Sequence, residues 1–269
     1  MTDHDSYVLR TGTNALERLR ILDALTAPST DALLDRAGVG AGMTAVDAGC
    51  GSGLVTLRLA ARTGAPAIGF DRDAIAIQQA RAAAAHRAAP VTFEVASIES
   101  FRTALPIDLA YARFVLSHLT DPAAALRRLT ASVRPGGLVI AEDVHFPGHF
   151  CAPANAAFDR YVELYEQVSR ERGADACLGI ELPTLFRAAG LVDVTFHALV
   201  PTFTGDDQLD GLTFAARTLD GIGDAVTEAG LASAAEVADL VAELEGFARR
   251  EGTVMSMVRI CQTWGRVPD

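Results

Sequence analysis

The order of apolar and polar residues changes rhythm twice along the chain. From Ala15 to Leu25 the apolar positions Leu16, Leu19, Ile21, Leu22 and Leu25 recur at helical spacing. Pro28 and Ser29 break that pattern, and Thr30 is placed to cap a short second helix running to Ala37. From Thr44 onward, short apolar runs alternate with helical stretches. Strands are predicted at Thr44–Ala48, Ala67–Phe70, Val91–Val95, Ile107–Ala112 and Leu138–Glu142. Helices are predicted over Gly53–Arg62 and Arg72–His86, and again from Asp121-Pro122, where Leu126, Leu129 and Val133 share a face and proline suits the first turn. The "RPGG" at Arg134–Gly137 reads as a turn. Strands and helices alternating at this spacing imply a parallel sheet with right-handed crossovers and helices on both faces.

After Phe146 the rhythm shifts again. Ala154–Glu171 reads as a long helix, Leu182–Ala189 as a shorter one ended by Gly190, and Leu191–Thr204 as strand. Ala234–Arg250 is amphipathic, with Val237, Leu240, Val241, Leu244 and Phe247 in phase, and Val254–Thr263 reads as a final strand. The sequence shows no internal repeat or low-complexity linker. The expectation is therefore one domain over 1–269, with a helical cap at 1–40 and helical inserts at 151–178 and 206–250.

Composition narrows the partners. The formal net charge of −11 and the scattered Lys and Arg disfavour a phosphate backbone, so no nucleic acid is expected. The chain shows neither an apolar run long enough to span a membrane nor a basic-then-apolar leader, so a cytoplasmic protein is expected. Cys50, Cys151, Cys177 and Cys261 lack metal-ligand spacing and read as free thiols.

The chemistry concentrates at "TAVDAGCGSGL", Thr44–Leu54. An apolar strand runs through Asp47 into glycines at 49, 51 and 53. Glycine there lets backbone N–H groups approach a ligand closely. The spacing is G-x-G-x-G, one residue short of the dinucleotide fingerprint G-x-G-x-x-G. Asp71, ending the next strand in "IGFDRD", is placed to accept both hydroxyls of a ribose.

At these residues the chain resembles the class I S-adenosylmethionine-dependent methyltransferases, in their small-molecule, natural-product-type branch. Asp47-Ala48-Gly49-Cys50-Gly51-Ser52-Gly53 matches that family's D-x-G-x-G-x-G, and "IDLAYARFVLSHLTDPAAALRRLTASVRPGGLVIAED" is similar to its fourth-strand region. The resemblance covers about 40–145 well. It implies an α/β fold: a Rossmann-like seven-stranded sheet (last strand antiparallel) with helices on both faces and inserted lid helices over the substrate. It implies that Tyr7, Arg18, Asp47, Gly49, Cys50, Gly51, Gly53, Asp71, Arg72, Ser97, Ile98 and Arg113 bind the cofactor. Ser97 stands where the family commonly has an acid beside the adenine.

The implied reaction is in-line transfer of the cofactor's methyl group to a small-molecule acceptor, expected to be a hydroxyl of a secondary metabolite. The alternative is a cyclase or isomerase of the same fold that binds the cofactor without transferring methyl. His145, after the fifth strand in "EDVHF", is the expected general base, and His118 in "FVLSHL" a second catalytic candidate. His149 and His197 rank lower, one in a Pro/Gly loop and the other on a strand face. Ala112 and Arg113 stand where metal-dependent relatives carry an acid, so no metal is expected. A homodimer is compatible with the sequence.

Overall fold

The computed structural model describes residues 13–85, 87–205 and 208–269, with side chains described from Arg18 onward. The elements are α1 (Thr13–Arg36), β1 (Ala45–Ala48), α2 (Leu54–Thr63), β2 (Ala67–Asp71), α3 (Ala74–Ala84), β3 (Val91–Val95), β4 (Ile107–Arg113), α4 (Pro122–Ser132) and β5 (Val133–His145). There follow β6 (Cys151–Ala152), α5 (Ala156–Glu171), α6 (Leu182–Ala188), β7 (Val192–Leu199), β8 (Thr202–Thr204), α7 (Leu209–Leu212), α8 (Phe214–Glu228), α9 (Ala234–Ala248), β9 (Val254–Ser256) and β10 (Arg259–Arg266).

The main sheet has seven strands in the order β3-β2-β1-β4-β5-β10-β7. β1 to β5 pair in parallel, and β10 runs antiparallel between β5 and β7. The strand period of two sorts the core. Ala45, Leu109, Tyr111, Leu138 and Ile140 face α2 and the end of α1, packing on Leu33, Leu34 and Leu59. Val46, Ala110, Ala112, Val139 and Ala141 face the other way, onto Leu126 and Leu129 of α4 and Phe186 of α6. A third cluster joins α5, α8 and α9 through Phe158, Leu164, Leu219, Ile222 and Phe247.

Several element boundaries differ from the sequence expectation, each for a local reason. The first two helices form one, α1, with Pro28 inside. Thr30 does not cap a new helix, because its Oγ1 donates to Glu142 Oε1 (2.8 Å). The "RPGG" is not a hairpin-type turn; it lies within β5 as an irregularity where pairing with β4 skips from Ile107 to Leu109. Leu191–Thr204 splits at Pro201, which lacks a ladder N–H. Val254–Thr263 splits because β9 leaves the main sheet to join β6 and β8 in a small sheet of its own. Gly230, at φ 70°, ends the α8 turn, and Ser233 starts α9 by accepting from Glu236 N (3.1 Å).

A polar knot fastens α1 across the sheet. Glu142, fully buried, accepts from Thr30 Oγ1, from Tyr111 Oη and from Gln262 Nε2 (2.6 Å), and Arg36 Nη2 donates to Gln262 Oε1 (2.7 Å). Beside it, Arg113 Nη2 donates to Asp23 Oδ1 (2.7 Å) and Nη1 to Thr26 Oγ1 (3.0 Å). Both ends of the Arg113–Asp23 pair are largely hidden from water, so losing either strands a charge. We predict that Arg113→Ala lowers unfolding stability by about 3 kcal/mol in denaturant titrations, and Asp23→Ala similarly. The double variant should recover part of the summed loss, since the two effects are coupled.

Candidate active site at the carboxyl ends of the strands

The carboxyl ends of β1, β2, β4 and β5 open into a cleft of about 820 Å³, walled on the far side by α1, α5 and α8. This is where an open parallel sheet binds ligands. Its two halves differ in chemistry.

The polar half is built on the glycine turn. Gly49 (φ 66°) and Gly53 (φ 77°) occupy the left-handed region. A Cβ at Gly49 would lie 2.4 Å from Val115 Cγ2, and one at Gly53 would lie 2.7 Å from the Phe93 ring. Only glycine lets the turn pack this close to its neighbours and start α2 beneath the cleft. Asp71 Oδ2 accepts from Gly51 N (2.9 Å) and Oδ1 from Asp73 N (2.9 Å), so one carboxylate ties β2 to the turn. Each oxygen keeps a further acceptor site.

Asp47 lies behind the turn, 2% exposed, accepting from Thr56 Oγ1 (2.6 Å). Burial pushes its carboxyl up to about 7, against the opposing pull of the Thr56 hydrogen bond and of Arg113. Phe114, at φ 57°, is a bulky residue in left-handed conformation, held by donation of its N–H to Glu142 O (2.8 Å). Backbone in such a conformation persists where surrounding structure over-determines it.

Most residues expected from the sequence meet here. Arg18, Asp47, Gly49, Cys50, Gly51, Asp71, Arg72, Ser97, Ile98, Arg113 and His118 all line this cleft. Gly53 sits just behind it as the residue before α2. Tyr7 lies outside the described residues. His118 is neutral: burial, with Arg18 and Arg72 nearby, drives its imidazole down to about 4. Arg113 lines the cleft, but its guanidinium is committed to Asp23 and Thr26. Arg18 is 8% exposed and reaches the cleft from α1. Among the described residues no carboxylate pairs with it.

His145 is corrected by the strand's alternation. Val144 and Phe146 line the cleft, so the side chain between them turns away. Its Nδ1 meets Arg259 Nη1 (3.2 Å) across the β5–β10 pair. Because a guanidinium only donates, that nitrogen's lone pair is already taken. Burial first, and Arg259 second, lower its imidazole below the usual range. Among the described residues two histidines line the cleft, His118 and His149, and the second ranks low in the sequence reading. Alternation alone would put residues 145 and 149 on one side; the short helical turn Phe146–Gly148 between them brings His149 round to the cleft.

The other half of the cleft is apolar and aromatic. Val144, Phe146, His149, Tyr161, Tyr165, Phe214, Thr218, Met257 and Val258 form its wall. The Phe146 and Tyr165 rings stack at 3.7 Å and 5°, with Tyr161 edge-on to Phe146 at 6.1 Å. These residues come from the end of β5 and the turn after it, from α5 and α8, and from the β9–β10 junction. They share no local motif, so pattern reading did not single them out.

A seven-stranded sheet with its inserted antiparallel strand, a D-x-G-x-G-x-G turn and an acid ending β2 defines the class I S-adenosylmethionine-dependent methyltransferase fold. The chain belongs to the methyltransferase domain family, whose match spans residues 40–189. It is 40% identical over 106 residues to a ubiquinone biosynthesis O-methyltransferase of Methylobacterium sp. (strain 4-46), covering 39% of this chain and 42% of that protein. It is 35% identical over 140 residues to a trans-aconitate 2-methyltransferase of Methylobacterium nodulans, covering 51% and 52%. The chain thus spans about half the length, or less, of these curated relatives. Its fold is similar to that of the [4+2]-cyclase SpnF, with TM-score 0.55 and 20% identity over 90% of this chain and 80% of that one.

The residues present fit S-adenosylmethionine. The cleft has room for a nucleoside with a second molecule beside it, Asp71 has acceptor sites for vicinal hydroxyls, and Arg18 offers a cation for a carboxylate. Among the described residues, no group of three or more His, Cys, Asp and Glu is placed to hold a metal ion, and no helix is long and apolar enough to cross a membrane.

The buried carboxyl groups carry a stability prediction. Asp47 has a folded pKa of about 7, above its unfolded value of 3.8. Its contribution is therefore complete below pH 3.8 and lost as pH rises through 7. Asp47→Asn, which keeps an acceptor for Thr56, should stabilise the ligand-free protein at pH 8 by roughly 2 kcal/mol. The gain should shrink at pH 5 and vanish only below about pH 3.8, where the carboxyl is neutral in both the folded and the unfolded chain. Thermal melts at the two pH values measure this.

Proposed function

We propose that this protein transfers the methyl group of S-adenosylmethionine to a hydroxyl of a small apolar molecule. The observation that carries the reading is the cleft itself: a polar half with Asp47, Asp71 and Arg18 meets an aromatic half with no gap between them. When bound, S-adenosylmethionine supplies an activated methyl group on a sulfonium. The chain's own work is to hold, align and dry the reactants.

In this reading Asp71 holds the ribose hydroxyls, and the glycine turn, tied to that carboxylate through Gly51 N, lets the ligand approach the backbone closely. Ser97 and Ile98 border the adenine. Arg18, rather than Arg113, holds the donor's carboxylate, because Arg113 is engaged by Asp23. Asp47 becomes fully ionised as positive charge arrives nearby, which lowers its raised pKa. The helical inserts at 151–178 and 206–250 close the acceptor half as a lid, and α1 within the cap at 1–40 covers the donor. A dry site strengthens every one of these electrostatic contacts.

Incubation with methyl-labelled S-adenosylmethionine and a panel of hydroxylated apolar acceptors should give a labelled product heavier than the acceptor by one CH₂. Asp71→Ala should raise the dissociation constant for S-adenosylhomocysteine at least tenfold, the equivalent of one lost charge-assisted hydrogen bond or more. Turnover of an acceptor at unchanged mass would mean rearrangement instead. Binding of the donor without change to any acceptor would contradict both activities.

A further inference from the structure

Resting on the methyl-transfer reading, we propose that His149 is the catalytic base and that the acceptor is a neutral aromatic ring bearing the reacting hydroxyl. The tautomer is set by geometry. His149 Nδ1 lies 3.0 Å from Phe146 O, and a carbonyl oxygen only accepts, so Nδ1 carries the proton. In the neutral ring Nε2 then holds the free lone pair. That nitrogen has no partner among the described residues, and the ring that carries it lines the cleft.

The surroundings keep it neutral. Phe146 packs on the ring at 4.7 Å, and Phe158 and Tyr161 stand edge-on at 5.8 Å. Burial among them drives the imidazole down to about 4, only partly opposed by the Phe146 carbonyl. The titratable group facing it from α5 is the Tyr161 phenol, itself held neutral by burial. A base this weak suffices, because the hydroxyl proton becomes strongly acidic as the new oxygen–carbon bond forms. The step balances. The acceptor oxygen's electron pair forms the bond to the methyl carbon, and the carbon–sulfur pair returns to sulfur, leaving a neutral thioether. The proton passes to Nε2, and later to water.

The acceptor class follows from the same wall. Residues 144–149, α5, α8 and residues 257–258 contribute no charged side chain to the cleft lining. A carboxylate or ammonium acceptor would be stripped of water there without a partner. A flat neutral ring instead meets the Phe146–Tyr165 stack and Phe214, which line the cleft.

The test uses methyl-labelled S-adenosylmethionine with phenols graded from 4-methoxyphenol to 4-nitrophenol at pH 8, alongside carboxylate and amine acceptors. The variants are His149→Gln and His149→Phe; the latter keeps an aromatic body in the cage. For 4-methoxyphenol, kcat/KM should fall about 100- to 10,000-fold in both variants, and the loss should shrink below about tenfold for 4-nitrophenol, which ionises unaided. The melting-temperature rise with S-adenosylhomocysteine should match wild type, showing an intact donor site. Nitrogen NMR of the donor-free protein should find Nδ1 protonated and Nε2 bare, down to about pH 5.

An equal loss for every phenol, no loss in either variant, or a proton on Nε2 would overturn the base. Wild-type transfer to carboxylates or amines but to no phenol would overturn the acceptor class and the hydroxyl acceptor of the proposed function, while methyl transfer itself would stand. Transfer to no acceptor of any class, with S-adenosylhomocysteine bound, would overturn the proposed function as well.

Discussion

The structure depends on a buried carboxyl group, that of Glu142 on β5. A fully buried acid must have all its oxygens satisfied, and here three different elements supply the donors: Thr30 from α1, Tyr111 from β4 and Gln262 from β10. That requirement holds α1 against the sheet and fixes the inserted antiparallel strand beside β5. Arg113 and Asp23 repeat the logic one step closer to the cleft. Because α1 is held there, Arg18, Leu19 and Leu22 on it become cleft walls rather than free surface. A salt-bridged knot of this kind is weak evidence for overall stability. Its value here is positional, since it decides where the roof of the site lies.

From that frame the two halves of the cleft follow. The parallel strands end together, so Asp47, Asp71 and Phe114 arrive at one rim. The polar half is made almost entirely of backbone turns and short acids, which are rigid and already bonded in the ligand-free protein. The opposite half comes from helices inserted late in the chain, packed on one another through large apolar side chains. In the proposed reading, donor recognition belongs to the sheet, and acceptor recognition to the inserts with the end of β5.

The sheet, and the residues expected to hold the donor that share one cleft, were legible in the sequence because both patterns are local. D-x-G-x-G-x-G at the end of an apolar strand is read within a few residues, and Asp71 sits one strand later. Sequence reading failed where tertiary contacts decide. Pro28 was taken as a break, yet Thr26, Thr30 and Asp23 are tied to other elements and hold both halves of α1 in line. Arg113 was read as a ligand contact before its partner Asp23, ninety positions earlier, was visible. His145 and His149 share a strand phase and are separated by the short turn Phe146–Gly148, and only His149 lines the cleft. The acceptor wall draws on α5, α8 and residues 257–258, a combination that no spacing rule connects.

The central claim is that Asp71 and the glycine turn hold the donor with its reactive end facing the aromatic wall. A crystal structure with S-adenosylhomocysteine tests it most directly. The account predicts both ribose hydroxyls on Asp71, the carboxylate on Arg18, and the sulfur open toward Phe146, Tyr161 and His149. A ligand lying elsewhere, or one whose sulfur faces away from that wall, would contradict it.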